Sequence, residues 1–432
     1  MNKQEIIKQI IYSYFKNDLP KYIEREKVFD FLDVRKVYTI VWPRRAWKTY
    51  FLYQIIDNLL KKGIDKKQTL YFFLERDDIY PIWLEELNLI LEIYFSIVWY
   101  DRSKKYYIFL DEIQIVKDRE KFALKVYIQF PNVELVLTGS SSKMLSKEIY
   151  SWLRWKAFSK EILPLTVKES LKFKELDIEK LSLEEKFKLR GIFEEILFYW
   201  LFPEVVLQNQ EYLKTQLLEE YLDMIFYKDI IERYKFRSFE KLKKFRRILF
   251  SYIANFINFS KISEIVWVSE NVVLKWFNAF KEAYSVFELK NFDFSIWKQE
   301  KSRWKLYLID NWFYWINFGL FKQDLWVLFE NLVFLEFKKR WLDEEKNIFY
   351  FKNKDFDIDF LIFNKDISFV QVVYELNDDN FEREVGQLSK IKAKYNKPAI
   401  LIYNCNNLKT KKIPKEIIAV DFWNYIKMLE EF

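Results

Sequence analysis

Short apolar runs alternate with helix-length segments between residues 34 and 139. The runs occupy 34–41, 68–74, 106–113 and 133–139. Strands of a parallel sheet are covered by helices on both faces, so they are apolar along their whole length instead of alternating with polar residues. The pattern therefore predicts an α/β fold built on a parallel sheet.

The rest of the chain shows three further patterns. Residues 166–250 carry Leu, Glu and Lys at helical spacing and predict a helical lid or linker. Residues 251–310 combine a helix–turn–helix pattern with two strand-like runs, which is typical of a winged-helix domain. Residues 311–432 have mixed α/β character. We therefore predict four parts, the first of which, 1–165, holds the parallel sheet.

Two residue types exclude whole classes of site. Histidine is absent, and Cys405 is the only cysteine among 432 residues with a formal net charge of +7. Without histidine there is no Ser-His-Asp triad and no His-ligated zinc or haem. A single cysteine excludes internal disulfides and Cys metal clusters.

The apolar run at 87–100 contains Glu92 and is too short to cross a bilayer. We expect a cytoplasmic protein that does not bind membranes.

The segment after the first strand has the form of a phosphate-binding loop in all but two places. It reads Trp42-Pro43-Arg44-Arg45-Ala46-Trp47-Lys48-Thr49 and leads into a helical pattern. Such a loop needs G-x-x-x-x-G-K-[ST], because its backbone N–H groups cradle the phosphates and glycine permits the necessary conformations. Tryptophan stands at both glycine positions. Either the nucleotide site is inactive, or these two positions are glycine in the native protein.

The composition favours the second interpretation. The chain has 5 glycines and 16 tryptophans, whereas average usage gives about 30 glycines at this length. Several tryptophans stand where a loop or turn is expected: Trp152, Trp155, Trp267, Trp312, Trp326 and Trp341. Trp276 and Trp423 lie among apolar neighbours and are expected in the core. We hypothesise that UGA codons for glycine were translated as tryptophan; the alternative is an aromatic-rich chain with tryptophan in its core.

Acidic and hydroxyl side chains follow the third and fourth strands. Asp111 and Glu112 end the run YYIFLDE, where one carboxylate would hold Mg²⁺ and the next would polarise a water. A simple strand-end charge pair is the alternative. Ser140 directly follows the fourth run and is placed to contact a γ-phosphate or the attacking water. The serines that follow could instead cap a helix.

These motifs together resemble the AAA+-superfamily ATPases of archaea and bacteria that carry a C-terminal domain of unknown function. The resemblance rests on the loop at 42–49, FLDEIQ, LTGSSS, the LR-x-K motif around Arg154 and ILPLTVKE. It continues through LFYWLFPEVVL, YKDIIERY, LYLIDN, FENLVFLEFKKR and DIDFLIF, and thus covers roughly residues 30–430.

The resemblance implies a P-loop NTPase that binds ATP and Mg²⁺. Residues 42–49 would contact the nucleotide, and Thr49 and Asp111 would hold Mg²⁺. The catalytic residues that it implies are Glu112, Ser140 and Arg154. Arg154 would meet the γ-phosphate within its own chain or from a neighbour, and the second arrangement requires a homo-oligomer. The alternative for Arg154 is an ordinary loop arginine.

Two segments are candidates for DNA contact. The second helix of the pattern at 259–289 could enter a major groove, although such a unit is equally suited to packing or protein contacts. Residues 233–247 carry eight basic residues against one Glu, which suits contact with a phosphate backbone. The alternative for this basic segment is a solvated helix face.

The last part has the outline of a restriction-nuclease-like fold. An acidic helix with Glu330 and Glu336 precedes strands that carry Asp359 and Gln371-x-Val373. A metal-dependent nuclease of this type needs an acid followed two residues later by lysine, and here Gln371 and Val373 hold those places. We therefore expect a shared fold without nuclease activity.

Three functional hypotheses follow. The leading one is Mg²⁺-dependent ATP hydrolysis that moves the winged-helix and C-terminal parts, with DNA as a candidate partner. The second is an inactive ATPase that serves as a DNA- or protein-binding module. The third, which Val373 disfavours, is a metal-dependent nuclease.

Overall fold

A computed structural model gives the structure of the chain. It describes residues 2–26, 28, 30–41, 47–139, 153, 156–180, 183–199, 202–318, 325–340, 342–364, 366–404 and 413–429. The predicted site residues 42–46, Ser140 and Arg154 lie outside the described residues, as do Trp152, Trp155 and Trp341. The chain divides into two compact units, 1–163 and 164–432. Each unit is described by itself.

The first unit is built on a five-stranded sheet in the order β2-β3-β4-β1-β5, with all neighbouring strands parallel. The strands are β1 Val37–Val41, β2 Thr69–Phe73, β3 Tyr106–Asp111, β4 Val133–Gly139 and β5 Ala157–Glu161, and the helices are α1 Lys3–Lys16, α2 Lys48–Lys61, α3 Leu84–Val98 and α4 Arg119–Gln129. The predicted parallel sheet is confirmed in its first four strands. The edge strand β5 was not predicted, because its polar sequence AFSKE lacks the apolar run of a covered strand.

The strand order determines where the site lies. Strands β3, β4 and β1 are neighbours, so their carboxyl ends meet at one edge of the sheet. Helix α2 begins at Lys48, and its N-terminus reaches the same edge, where Thr49 contacts Asp111. Phe51, Leu52 and Ile55 are buried along this helix and fix it against the core. Ligands of open α/β sheets bind at this edge.

The second unit begins with helices and a two-stranded antiparallel sheet. Its first elements are α5 Val167–Phe173, α6 Leu183–Tyr199, α7 Pro203–Val206, α8 Glu211–Met224, α9 Phe239–Phe250, α10 Phe259–Val266, α11 Glu270–Glu282, β6 Val286–Leu289, α12 Ile296–Glu300 and β7 Lys305–Leu308. A π-helical segment, Ile225–Glu232, extends α8. Helices α10 and α11 and strands β6 and β7 follow the order expected from the sequence. The winged-helix assignment itself stays a prediction.

A mixed sheet forms the last part of this unit, in the order β12-β11-β10-β9-β8. Its elements are α13 Trp312–Phe318, α14 Leu325–Lys339, β8 Ile348–Lys352, β9 Asp357–Phe363, β10 Ile367–Val373, α15 Asp378–Phe381, α16 Gln387–Tyr395, β11 Ala399–Tyr403, β12 Ile418–Asp421 and α17 Phe422–Met428. Strands β10, β11 and β12 are parallel, and β8–β9 and β9–β10 are antiparallel. The nuclease-like assignment also stays a prediction.

Two tryptophans expected in loops lie in helices, so those predictions were wrong. Trp312 begins α13 and is fully buried, and Trp326 lies in α14. Both stand next to apolar residues at helical spacing, which pack these helices into the core. Trp276 and Trp423 are buried, as predicted. Within the described part of the chain, no helix combines the length and apolarity needed to cross a membrane.

Candidate functional site

Four side chains from two parts of the fold meet at the carboxyl edge of the parallel sheet. The Thr49 hydroxyl, in the first turn of α2, donates to Oδ2 of Asp111 at 2.8 Å. The Lys48 ammonium donates to Oε1 of Glu112, and each of these two side chains is only 10% exposed. The predicted lysine, hydroxyl and carboxylates are therefore brought together by the α2 N-terminus and the end of β3.

Asp111 is fully buried and is surrounded by hydroxyl groups. Besides Thr49, the Tyr71 hydroxyl donates to Oδ2 at 3.0 Å, and the Thr138 hydroxyl donates to Oδ1. Burial is the largest cause that raises the pKa of Asp111, and the negative charge of Glu112 adds to it. A cation beside this carboxylate would oppose both effects. The combination of a buried carboxylate and a threonine hydroxyl thus fits Mg²⁺.

Glu112 follows directly in an unusual backbone conformation. Its φ is 62° and its ψ is 44°, in the left-handed region that costs a residue with a side chain about 1–2 kcal/mol. Its backbone N–H donates to the Thr138 hydroxyl at 3.1 Å. Its second carboxylate oxygen, Oε2, accepts from the Gln114 amide. The turn thus gives two successive acids separate environments, one among hydroxyls and one between a lysine and an amide.

Trp47 also has left-handed backbone angles. Its φ is 55° and its ψ is 48°, directly before the first residue of α2, and its ring lies 4.7 Å from that of Tyr50. This is the conformation for which glycine is suited, at the helix end that binds phosphate in a P-loop. The structure thus shows a backbone that suits glycine at the second of the two unusual loop positions.

Three polar residues of this site were not predicted from the sequence: Tyr71, Thr138 and Gln114. Thr138 carried a usable signal, because a hydroxyl interrupts an apolar strand next to the acids. Tyr71 carried none, since tyrosine is common in strands. Ser140, which was predicted to act here, lies outside the described residues, and Thr138 is the β4 side chain that contacts Asp111.

A second polar cluster lies in the C-terminal part, around a cavity of about 610 Å³. Lys305 of β7 lies 2.6 Å from Glu330 and 3.3 Å from Asp359, and the Tyr307 hydroxyl donates to Glu330 at 2.6 Å. Burial, followed by the charge of Asp359, raises the pKa of Glu330 to about 7. Gln371 accepts from the Asp359 N–H at 3.3 Å. Among the described residues, no three His, Cys, Asp or Glu side chains are grouped as metal ligands.

Glu336, the second acid predicted on α14, has a different role from Glu330. Glu336 is fully buried and forms ion pairs with Arg340 at 2.8 Å and Lys339 at 3.4 Å. It also accepts from the backbone N–H of Val167 at 3.0 Å. Glu336 therefore stabilises the packing of α14 and does not line the cavity.

Part of the basic segment 233–247 is used inside the protein. Lys241 and Lys244 donate to the carbonyl oxygens of Trp267 and Ile265, at 2.9 and 2.8 Å, where α10 ends. The Arg246 guanidinium is half-buried and lies 4.6 Å from the Phe226 ring. Cations at the C-terminal end of a helix satisfy its last carbonyl groups. These contacts reduce the positive charge that the segment can present to a nucleic acid.

Comparison with known proteins gives the family. Residues 34–171 match the model of an AAA domain, and residues 190–314 match a domain of unknown function (DUF8612). An uncharacterized protein of Methanocaldococcus jannaschii is 38% identical over 362 residues, which cover 82% of this chain and 78% of that protein. The chain belongs to the family of that archaeal protein. Its own AAA-domain match supports the AAA+ P-loop class expected from the sequence.

Two further proteins that resemble this AAA-domain chain share less of its sequence. An uncharacterized protein of Haemophilus influenzae is 26% identical over 404 residues, which cover 92% of this chain and 96% of that protein. A DNA polymerase III gamma subunit-related protein from Thermotoga maritima is 11% identical with a TM-score of 0.26, and covers 65% of this chain and 100% of that one. At so low a score, the fold assignment rests on the AAA-domain match and the parallel sheet.

Proposed function

We propose that this AAA-domain chain hydrolyses ATP with Mg²⁺ at the carboxyl edge of its parallel sheet. The observation that supports the proposal is the convergence of Lys48, Thr49, Asp111 and Glu112 on one site. The α2 N-terminus directs backbone N–H groups and a partial positive charge at this site, which suits an anionic phosphate chain. ATP turnover by the protein with glycine at 42 and 47 tests the proposal, and its absence there would remove it.

Each residue has a separate part in the proposed reaction. Lys48 would pair with the β- and γ-phosphates and thereby leave Glu112. Thr49 and Asp111 would hold Mg²⁺, which when bound supplies charge neutralisation at the phosphates. Glu112 would orient and deprotonate the attacking water, and Thr138 would keep both acids in place through its contacts with each.

Three further predictions belong to this proposal. Backbone groups of 42–46 would surround the phosphates, and Ser140 would contact the γ-phosphate. Arg154 would stabilise the charge of the transition state within its chain or from a neighbouring copy. In the second case the active form is a homo-oligomer, and turnover per chain should rise with protein concentration.

We further propose that Trp42 and Trp47 are glycine in the native protein. Trp47, Trp99 and Trp267 all have positive φ, of 55°, 53° and 59°. Trp99 and Trp267 are 87% and 80% exposed, and each ends a helix in the left-handed conformation at which glycine is usual. Use of tryptophan in the core explains neither position. Mass spectrometry of the native protein tests this proposal, and a tryptophan residue mass at position 47 would contradict it.

Replacing Trp99 or Trp267 by glycine is expected to stabilise the protein. Relief of left-handed strain gives about 1–2 kcal/mol, and the greater chain entropy of unfolded glycine costs about 0.5–1 kcal/mol. Each change should therefore raise the free energy of unfolding by about 0.5–1 kcal/mol in urea titrations. Trp276→Gly, at a buried helical position, is the control and should lower it by about 3–5 kcal/mol. Destabilisation by both exposed changes would contradict the strain argument.

DNA contact by the helix–turn–helix and the basic segment remains the alternative function. Arg247 is exposed and Lys243 is half-buried, whereas Lys244 binds the Ile265 carbonyl and Arg246 packs on Phe226. If the segment contacts DNA, neutralising Lys243 and Arg247 should weaken binding and flatten its salt dependence. Unchanged binding would exclude the segment as a DNA contact.

One observation favours a second candidate function, phosphodiester hydrolysis at the C-terminal cavity. The lysine that is missing at Val373 has a spatial substitute, because Lys305 lies between Glu330 and Asp359. The two carboxylates and the Gln371 amide oxygen would hold a divalent cation, and Lys305 would stabilise the attacking hydroxide. This candidate reverses the loss of activity that the sequence pattern predicts.

Lys305→Met is expected to lower DNA cleavage at least about 100-fold, if the parent protein cleaves DNA with Mg²⁺ or Mn²⁺. Removing one partner of a buried ion pair also destabilises a protein. The matched control is therefore Lys338→Met, which breaks the buried Lys338–Glu344 pair outside the cavity lining and should leave cleavage unchanged. Intact DNA after incubation with the parent protein would rule out this function.

A further inference from the structure

The carboxylate of Glu112 is held at both of its oxygen atoms. Oε1 accepts from the Lys48 ammonium, and Oε2 accepts from the side-chain amide of Gln114. Gln114 lies in the 3₁₀ turn Ile113–Ile115 that directly follows Glu112, and its side chain is half-buried. Both donors therefore reach the carboxylate in a largely enclosed site, but they come from different parts of the chain.

The two donors differ in what a bound nucleotide does to them. Lys48 is the first residue of α2, where phosphates bind, and their charge draws the ammonium away from Glu112. Gln114 is neutral, so phosphates exert no comparable attraction on it. Its position is also set locally, because only one residue separates it from Glu112. Once Lys48 has moved, the Gln114 amide still donates to Oε2.

We propose that Gln114 is a positioning residue, which holds the Glu112 carboxylate toward the attacking water after Lys48 has moved to the phosphates. The inference rests on the proposed ATPase function. A glutamate side chain has three rotatable bonds, and its orientation is undefined unless a partner fixes it. An amide that donates to a carboxylate makes a charge-assisted hydrogen bond, which is stronger than a neutral one. Gln114 does not touch the nucleotide in this arrangement and acts through Glu112.

Removing this donor should separate kcat from KM. The Glu112 carboxylate loses the partner that orients it, so kcat falls, whereas the phosphate contacts persist and KM is unchanged. A merely structural role of Gln114 would instead change both constants together.

The test compares three proteins that all carry glycine at 42 and 47. In Gln114→Leu the donor is lost with similar volume, and kcat should fall about 10- to 100-fold while the Kd for an ATP analogue stays within twofold. Gln68→Leu is the matched control, because Gln68 donates to the Lys105 carbonyl at the opposite end of the strands. Its kcat and its Kd for the ATP analogue should equal those of the parent.

The outcomes separate the inference from the function on which it rests. A Gln114→Leu protein with the kcat of the parent overturns the role of Gln114 and leaves the ATPase proposal standing. A loss of nucleotide affinity as large as the loss of kcat shows a merely structural role and also overturns it. No turnover in the parent protein removes the ATPase proposal itself, and the role of Gln114 falls with it.

Discussion

Glu112→Gln is expected to lower kcat for ATP about 100- to 10,000-fold in the protein with glycine at 42 and 47, which is the usual contribution of a general base. The substitution keeps the size of the side chain and removes its charge. Lys48 pairs with Glu112 in the structure, and loss of that charge makes the lysine more available to phosphates. Affinity for ATP should therefore stay equal or increase while hydrolysis is lost.

Two measurements separate these effects. Titration with a fluorescent ATP analogue gives the Kd, and single-turnover hydrolysis gives the rate of the chemical step. Glu85→Gln is the control, because Glu85 is exposed on α3 and touches none of the four site residues. A Glu112→Gln protein whose hydrolysis rate is within twofold of the parent would show that another group activates the water.

The sheet of the first unit could be predicted because its strands are buried on both sides. Strands β1 to β4 are apolar without alternation, and this pattern is unusual outside parallel sheets. The edge strand β5 pairs on one side, carries Ser159 and Lys160, and resembles a loop in sequence. The pattern of apolar residues therefore predicts strands that are buried on both faces and misses strands with an exposed face.

The site residues could be predicted from the sequence only where a known motif fixes their spacing along the chain. Lys48, Thr49, Asp111 and Glu112 follow a pattern that couples a strand, a turn and a helix. Tyr71 reaches Asp111 because β2 pairs with β3 in a register that places Phe73 beside Asp111. The register of β2 against β3 depends on tertiary structure, and no local sequence pattern predicts it.

Lys305 of the C-terminal cavity was not predicted for the same reason: its neighbours depend on tertiary structure. The sequence pattern looks for lysine two residues after the acid on one strand, where Val373 stands. Lys305 belongs to β7, 54 residues before Asp359, and reaches the same carboxylates through space. A rule based on spacing along the chain therefore cannot find a lysine that reaches the carboxylates from another strand.

Glycine at positions 42 and 47 is expected to raise affinity for Mg²⁺-ATP at least about 100-fold over the protein with tryptophan there, since each lost phosphate hydrogen bond to a backbone N–H costs about 1.5–3 kcal/mol. Trp47 places an indole at the helix end where the phosphates must approach, in a backbone conformation that glycine adopts without strain. Isothermal titration calorimetry of the two proteins gives the ratio of their Kd values.

The control for this change is Trp99→Gly. Trp99 has the same left-handed conformation, is 87% exposed and ends α3 away from the four site residues. The substitution Trp99→Gly should raise the free energy of unfolding without changing the Kd for ATP, because its effect is confined to backbone strain. A folded protein with glycine at 42 and 47 that fails to bind ATP would contradict both the glycine assignment and the nucleotide site. If Trp99→Gly raised the affinity for ATP as much as glycine at 42 and 47 does, protein stability alone would limit that affinity. The reason is that Trp99, at the end of α3, does not contact the phosphate site.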